Sequence, residues 1–162
     1  MTDVFPAMTD MRGGPEAPAR ARHECSAARA CRLTLRTAGR APILASASAD
    51  GILLLPAGRI VQVEWLRTAA LRPSVRLDAS VILPDHLHGI VLLDGTVSLG
   101  AMVAGLKSAS AARINRLRAT PGAAVWQRGY GAEILRPADV AAARAWLLAN
   151  PSRWLARELP GR

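Results

Sequence analysis

The segment VRLDASVILPDHLHGIVLL, residues 75–93, predicts two β-strands joined by a tight turn. Apolar and polar residues alternate over residues 75–83, as they do when one face of a strand is buried. Pro84 and Asp85 are typical turn residues. The run over residues 86–93 is mostly apolar, and we interpret it as a second strand that pairs with the first in a hairpin.

Two histidines open the second strand of this hairpin, in the order His86, Leu87, His88. Side chains two residues apart project from the same face of a strand, so His86 and His88 point together while Leu87 points into the core. Two imidazoles placed in this way can share one divalent metal ion. The alternative is a pair of solvent-facing histidines without a ligand. Gly89, directly after the pair, leaves room for a close approach of another backbone or of a ligand.

Further elements are predicted on both sides of the hairpin. Alternation predicts a strand over residues 31–37, and Pro56 is well placed at the first turn of a helix that ends before Pro73. Ser98 is suited to cap a second long helix. The complete set of predicted elements is a strand at 31–37, a short apolar run at 51–55, a helix at 56–71, the hairpin, a helix at 99–118, an extended segment within 125–136 and a last helix at 137–149.

The two long predicted helices each carry an apolar face. In the first helix the predicted apolar face consists of Val61, Trp65, Thr68 and Ala69. Glu64 is predicted to lie off this face. In the second helix the predicted apolar stripe consists of Leu99, Met102, Val103, Leu106, Ile114 and Leu117.

This order of elements predicts an α+β fold, in which helices pack on one face of a largely antiparallel sheet. A chain of 162 residues fits one domain, which we place at residues 31–162. Residues 1–30 contain Gly, Pro and scattered arginines without a steady period, and we interpret them as a disordered or degenerate basic leader.

The chain is strongly basic, with a formal net charge of +9, and Lys107 is its only lysine among 21 basic residues. Arginine suits phosphate because its planar guanidinium can bond two oxygens at once. The charge therefore favours nucleic-acid binding. The alternative explanation is a GC-rich genome, which favours arginine and alanine codons whatever the function.

No apolar run is long enough for a transmembrane helix, and the first 22 residues lack the apolar core of a signal peptide. We therefore expect no membrane partner and a cytoplasmic location. Cys25 and Cys31 have no second cysteine pair to complete a zinc site, so we expect reduced thiols.

Four segments together resemble the REP-associated branch of the single-tyrosine HUH transposases. The family pattern is a hydrophobic run followed by Pro, Asn or Asp and His-hydrophobic-His, then a helix bearing Lys-Ser, a Trp-Gln-Arg segment and a terminal Tyr-Ile-x-x-Asn-Pro. The matching segments occur in this order: VILPDHLHGIVLL (81–93), SLGAMVAGLKSASAARINRLR (98–118), VWQRGYGAEILR (125–136) and AWLLANPSRW (145–154). The resemblance covers roughly residues 32–154 and is strong from Pro56 onward.

The resemblance implies a ferredoxin-like fold that binds single-stranded DNA hairpins. It implies that His86 and His88 bind Mg²⁺ or Mn²⁺ and that Asn150 completes the shell of the ion. The ion would polarise a scissile phosphate, and a tyrosine on the last helix would attack the phosphorus and become linked to the 5′ end of the DNA. Such a reaction needs no ATP.

This chain departs from the family at the nucleophile. The family tyrosine lies four residues before the Asn of Asn-Pro, and counting back from Asn150 gives Trp146. An indole has no hydroxyl and forms no phosphodiester. Tyr130 is the only tyrosine in the chain. It is a candidate substitute nucleophile, and the alternative is an aromatic that packs in the protein or stacks on bases.

Other basic and aromatic residues are candidates for DNA contact. Lys107, Arg113, Arg116 and Arg118 lie on the second long helix and could contact phosphates, although a solvated helix face explains them equally well. Arg128 lies between Trp126 and Tyr130, a basic-aromatic combination suited to unpaired bases. The alternative for Trp126 is a place in the core.

Four functions remain open from the sequence. The first is an active DNA strand transferase or nickase of a mobile element, which uses Tyr130 or water. The second is a DNA-binding domain that has lost cleavage. The third is a metal-dependent hydrolase built on the two histidines, and the fourth is a decayed transposon remnant. A monomer and a homodimer are equally consistent with the sequence.

Overall fold

The computed structural model describes residues 28–48 and 50–158, and it forms the elements that the sequence predicts together with several others. The strands are β1 (Ala28–Arg36), β2 (Ala45–Ser48), β3 (Gly51–Leu54), β4 (Val75–Leu83), β5 (His86–Asp94) and β6 (Gly131–Leu135). The helices are α1 (Pro56–Leu71), α2 (Leu99–Arg118), α3 (Val140–Leu148) and α4 (Asn150–Glu158), with 3₁₀ turns at Ala38–Arg40 and Pro137–Asp139.

Four strands form one antiparallel sheet in the order β4-β5-β1-β6. The chain visits them as strand, helix, hairpin, helix, strand, which is the ferredoxin-like connection. The short hairpin of β2 and β3 is inserted between β1 and α1. The predicted α+β class with an antiparallel sheet is therefore confirmed, and the two central strands are β1 and the histidine-bearing β5.

The main core lies between one face of the sheet and the helices α1 and α2, as predicted. Leu33 and Leu87 of the central strands are fully buried there against side chains such as Trp65 of α1. A Cβ atom on Gly89 would lie 2.7 Å from Cζ2 of Trp65. The close approach anticipated at Gly89 is therefore made by an indole ring, on the face opposite the histidines.

The opposite face of the sheet carries the two histidines and is partly covered by α3, so the helices do not all pack on one face as the sequence predicts. Ile90 and Leu135 of the sheet pack there against Ala143 and Leu147 of this helix. The bidentate ion pair between Arg144 and Asp78 of β4 also fastens α3 to the sheet, with N–O distances of 2.5 and 2.6 Å. The helix that bears Trp146 thus lies on the histidine face.

Both long helices end where the sequence predicts, and their caps agree. Pro56 occupies the first turn of α1, and the Ser98 side chain accepts a hydrogen bond from the Ala101 amide at the start of α2. Two assignments to helix faces were wrong. Glu64 is buried, because Arg113 of α2 and Arg67 neutralise its carboxylate. Leu117 is 53% exposed, since it lies beyond the part of α2 that the sheet covers.

Some boundaries also differ from the predicted ones. β1 begins at Ala28, three residues inside the predicted leader, and the rest of that leader lies outside the described residues. The β2 strand was not predicted. Within residues 125–136 only Gly131–Leu135 forms a strand. After α3 the chain continues into α4. Across the described ranges, none of the helices combines the length and the apolar character that spanning a bilayer would require.

Candidate metal and DNA site

His86 and His88 project together from the start of β5, as the alternation predicts. Both side chains are buried, and their ring centroids lie 4.6 Å apart with an interplanar angle of 82°. Their neighbours on β1 are also polar, because Thr34 pairs with His88 and Arg36 pairs with His86 across the strands. The arrangement is a compact polar patch at the end of the two central strands.

One nitrogen of each imidazole is already engaged by a neighbour. Nδ1 of His86 donates to Oδ1 of Asp85 at 2.5 Å, and Nδ1 of His88 lies 2.8 Å from Oγ1 of Thr34. Asp85 is itself held by Arg40, whose Nε lies 2.6 Å from its other oxygen. The Asp85 bond fixes the orientation of the His86 ring, and on both rings Nε2 is the nitrogen left for a ligand.

Burial and positive neighbours keep His88 neutral. Burial lowers its pKa to about 3, and the charges of His86, Arg32 and Arg36 act in the same direction. A neutral imidazole has a lone pair to offer a metal at neutral pH. Burial alone would raise the pKa of Asp85, but the hydrogen bond from His86 and the charge of Arg40 outweigh it and lower that pKa.

Trp146, which the sequence resemblance places at the nucleophile position, lies directly beside the histidine pair. Its ring centroid is 5.7 Å from that of His88. The guanidinium carbon of Arg32 lies 5.0 Å from the indole centroid, and that of Arg153 lies 5.6 Å from it. Such cation–π contacts hold the ring in place. The structure therefore brings residue 146 to the histidines, with an indole where the resemblance implies a phenol.

Asn150, the predicted third ligand, is half-buried at the first residue of α4. The helical hydrogen bonds continue across the junction, from the Ala149 amide to the Ala145 carbonyl and from the Arg153 amide to the Ala149 carbonyl. Asn150 thus lies one turn after Trp146 on the same side. No group of three or more His, Cys, Asp or Glu side chains within residues 28–48 and 50–158 could hold a metal, so a third protein ligand would have to be of another type.

Tyr130 is not brought to the histidines within this chain. Its side chain packs against the main core, on the face of the sheet that α1 and α2 cover. A Cβ atom on Gly100, at the start of α2, would lie 3.5 Å from the Tyr130 hydroxyl. The histidines project from the opposite face. The alternative reading of Tyr130 as a packing aromatic fits this position, and a nucleophile acting on a phosphate at His86 and His88 of the same chain does not.

Three candidates for DNA contact have other roles in the structure. Trp126 is only 9% exposed, and its Nε1 donates to Ser110 Oγ at 2.9 Å, so it belongs to the core and its faces are closed to bases. Lys107 Nζ donates to the carbonyls of Gln127 and Gly129. Arg113 pairs with the buried Glu64. Neighbours in the loop and the helices thus engage the polar groups of all three residues, and their contact with DNA stays a prediction.

The other three candidates, Arg116, Arg118 and Arg128, are exposed, as phosphate contact would require. Three residues that were not predicted as site residues surround the histidines and Trp146, namely Arg32, Thr34 and Arg153. The signal for the first two was present, because Arg32 and Thr34 alternate with the apolar Leu33 and Leu35 on a predicted strand. The position of Arg153 beside Trp146 depends on α4, and this helix was not predicted.

The fold and the site define a ferredoxin-like α+β protein with a histidine pair on one face of its sheet and a helix end beside the pair. The family model described as "Transposase IS200 like" matches residues 61–147, more than half of the chain. The chain therefore belongs to the IS200-like transposase family. A comparison with curated proteins found no match.

The chain is similar to two solved structures, of which the first shares its fold. A REP-associated tyrosine transposase bound to a REP hairpin superposes with a TM-score of 0.60 at 15% identity, over 79% of this chain and 69% of the other. A transposase structure from Deinococcus radiodurans R1 matches with a TM-score of 0.49 at 19% identity, over 75% of this chain and 89% of that one.

Proposed function

We propose that this chain binds single-stranded DNA hairpins and a divalent ion, and that it forms no covalent tyrosyl link to DNA through its last helices. The observation that carries the proposal is the position of Trp146. It lies where the family nucleophile lies, beside His88, and it has no hydroxyl. The fold can still present DNA to the histidine pair, while the group that would attack the phosphorus is absent from that position.

The histidine pair fits Mg²⁺ or Mn²⁺. His88 is neutral, and Nδ1 of each ring is engaged by Thr34 or Asp85, the kind of outer contact that orients metal-binding imidazoles. We propose His86 and His88 as protein ligands and Asn150 as the third. A bound divalent ion would supply Lewis-acid polarisation of a phosphate oxygen. The residues of the chain contribute by holding the two rings, by keeping His88 neutral and by shielding it beneath Trp146.

The charge distribution supports DNA as the partner. The net charge is +9, and arginines surround the histidine face, among them Arg32, Arg36 and Arg153. Arg36 is partly buried there, and burial, followed by the neighbouring charge of Arg40, lowers its pKa. Positive charge gathered beside a buried site attracts a phosphate backbone. The hairpin is the substrate class we propose, because a protein of this fold has been solved with a REP hairpin.

The test uses a labelled DNA hairpin with single-stranded flanks and the purified full chain in Mn²⁺. We expect a retarded complex on a native gel and no DNA-linked protein on a denaturing gel. A linear oligonucleotide of the same composition that cannot fold back is the control, and it should bind more weakly. Binding should weaken steeply with salt, because phosphate contacts release counterions.

Several outcomes would contradict the proposal. A covalent adduct that disappears in Tyr130→Phe would show an active strand transferase with Tyr130 as its nucleophile. DNA cleavage without an adduct, lost in His86→Ala, would show a metal-dependent hydrolase. Absence of hairpin binding even at low salt would leave a decayed remnant of a mobile element. Measuring the mass of the free and DNA-bound chain in solution would decide between monomer and homodimer.

A further inference from the structure

The loop over residues 126–130 is held by hydrogen bonds to α2 and to the end of β1. The Trp126 indole donates to Ser110 of α2, and the Gln127 amide donates to the Arg36 carbonyl at the end of β1 at 2.8 Å. Lys107 Nζ lies 2.8 Å from the Gln127 carbonyl and also donates to that of Gly129. The loop closes with Gly129 at a φ of +69°, a conformation that favours glycine. It is therefore a rigid turn whose carbonyls point inward to one ammonium group.

Two side chains project from this rigid turn into solvent, those of Gln127 and Arg128. Within the described part of the chain, neither side chain makes a hydrogen bond or an ion pair. Fixing the backbone lowers the entropy that the two side chains would lose on binding a ligand. Arginine and glutamine are also the side chains that can make two hydrogen bonds to one base edge, Arg to guanine and Gln to adenine.

The turn lies at the same end of the sheet as the histidines. Arg36 pairs with His86 on one side of β1, and on the other side its carbonyl accepts from the Gln127 amide. The turn and His86 therefore flank the same residue. With a spacing of about 4.8 Å between neighbouring strands, they are separated by roughly 10 Å across the sheet. A single strand of DNA that reaches the histidine pair can pass this turn.

We propose that the 126–130 turn is a base-reading element for unpaired purines in the DNA, with Arg128 on a guanine and Gln127 on an adenine. Lys107 is its positioning residue, because it holds the two carbonyls that set the shape of the turn. This inference rests on the proposed hairpin binding and adds to it the bases that are read and the residues that read them. In this proposal Lys107 acts on DNA binding by holding the loop, and it does not contact phosphate itself.

The experiment is a binding selection on a hairpin whose single-stranded flanks are randomised, followed by sequencing of the bound fraction. The native chain should enrich guanine at one flank position and adenine at a second. Arg128→Ala should abolish the guanine preference alone, and Gln127→Ala the adenine preference alone. Loss of one bidentate contact corresponds to roughly 5- to 150-fold in base discrimination.

Two variants separate base reading from simple charge. Arg128→Lys keeps the positive charge and should keep the overall affinity and its salt dependence, but it should weaken the guanine preference, since an ammonium group lacks the planar fork that fits the two acceptors of guanine. Arg59→Ala, at an exposed arginine of α1, removes the same charge elsewhere and should leave both preferences unchanged. Lys107→Met keeps the aliphatic stem and should weaken both preferences together.

The outcomes distinguish this inference from the proposed function. Hairpin binding without any base preference, or with preferences that survive in both Arg128→Ala and Gln127→Ala, would overturn the base-reading role and leave hairpin binding intact. An undiminished guanine preference in Arg128→Lys would also overturn it. Failure to bind any hairpin in the selection would overturn the proposed function itself. Arg128 and Gln127 are exposed, so their variants should fold even if Lys107→Met does not.

Discussion

The indole ring of Trp146 stands nearly edge-on to the imidazole of His88, with an interplanar angle of 73° and a centroid distance of 5.7 Å. Residue 146 therefore lies next to the proposed metal ligands, although α3 and β5 are distant in sequence. The ion pair of Arg144 with Asp78 and the packing of Leu147 on the sheet fix this position. If residue 146 is the nucleophile position that the resemblance implies, this chain keeps the surroundings of a nucleophile and has an indole in its place.

Trp146→Tyr should restore a covalent protein–DNA adduct. The phenol oxygen would bond to phosphorus as the leaving strand departs with a free 3′ hydroxyl, so the count of phosphodiester bonds is conserved. The measurement is a denaturing gel of the variant with labelled hairpin and Mn²⁺, where the native chain should give no adduct. Trp146→Phe is the matched control, because it offers the same ring without the hydroxyl. An adduct in the Phe variant, or none in the Tyr variant despite bound metal and DNA, would contradict the interpretation of this position.

His86→Ala should abolish Mn²⁺ binding and leave hairpin affinity within about tenfold of the native value, since phosphate contacts supply most of that affinity. Titration calorimetry with Mn²⁺ and a gel-shift titration with the hairpin measure the two effects separately. His88→Ala should behave in the same way. Unchanged Mn²⁺ affinity in either variant would remove the proposed metal site.

Thr34→Val should weaken Mn²⁺ binding by about tenfold or more without abolishing it. The valine has nearly the shape of threonine but cannot hold Nδ1 of His88, which now lies 2.8 Å from the hydroxyl. Loss of such an outer contact commonly lowers metal affinity 10- to 100-fold, by an order-of-magnitude rule. Thr120→Val is the control, because Thr120 also makes a side-chain hydrogen bond, to Asn115, far from the histidines. Equal effects in the two variants would show that Thr34 has no orienting role.

The histidine pair and the sheet were predictable because strand alternation is a local signal. Leu33, Thr34 and Leu35 reveal by their order alone which side chains face the core, and the same holds for His86 and Leu87. Pro56 and Ser98 likewise mark the starts of two helices by their own residue type, without reference to distant partners.

What escaped prediction depends on partners distant in the chain. Glu64 is buried only because Arg113 reaches it from another helix, and no pattern within α1 shows this. The sequence around Lys107 is typical of a surface cation, and only the folded 126–130 turn shows that its ammonium group binds backbone carbonyls. Trp126 is bound to Ser110 in the same manner. Long-range pairs of this kind decide which polar residues remain available to a ligand.

Gly89→Ala should destabilise the fold by about 1–3 kcal/mol, the usual cost of forcing an extra methyl group into a packed core. The added Cβ would overlap the Trp65 ring, which is itself enclosed in the core and has little freedom to move. The measurement is chemical unfolding of the two proteins. Gly100→Ala is the control. A Cβ there meets only the Tyr130 hydroxyl at an ordinary 3.5 Å, and replacing a helical glycine should stabilise by roughly 0.5–1 kcal/mol. A stable Gly89→Ala variant would mean that Trp65 can leave its place.

The last prediction concerns acid and the ion pair that fastens α3 to the sheet. The hydrogen bonds from Arg144 lower the pKa of Asp78 below its ordinary value of 3.8, against the opposing effect of burial. Because the folded chain holds this carboxylate ionised more strongly than the unfolded chain does, the pair stabilises the fold above pH 3.8, and its contribution is lost as the pH falls through the lowered value.

Asp78→Asn should therefore melt at a lower temperature than the native chain at neutral pH, by less than Gly89→Ala does, because an ion pair at the surface contributes little. The difference between the two melting curves should shrink as the pH falls below 3.8 and vanish once Asp78 is protonated in both states. Arg144→Gln should give the same profile, and the double variant should add nothing to either single change, since one interaction is removed in all three. A difference that persists undiminished in acid would mean that Asp78 acts through its shape and not through its charge. The docking of Trp146 against His88 would then rest on the apolar contacts of α3 and on the cation–π contacts of the ring.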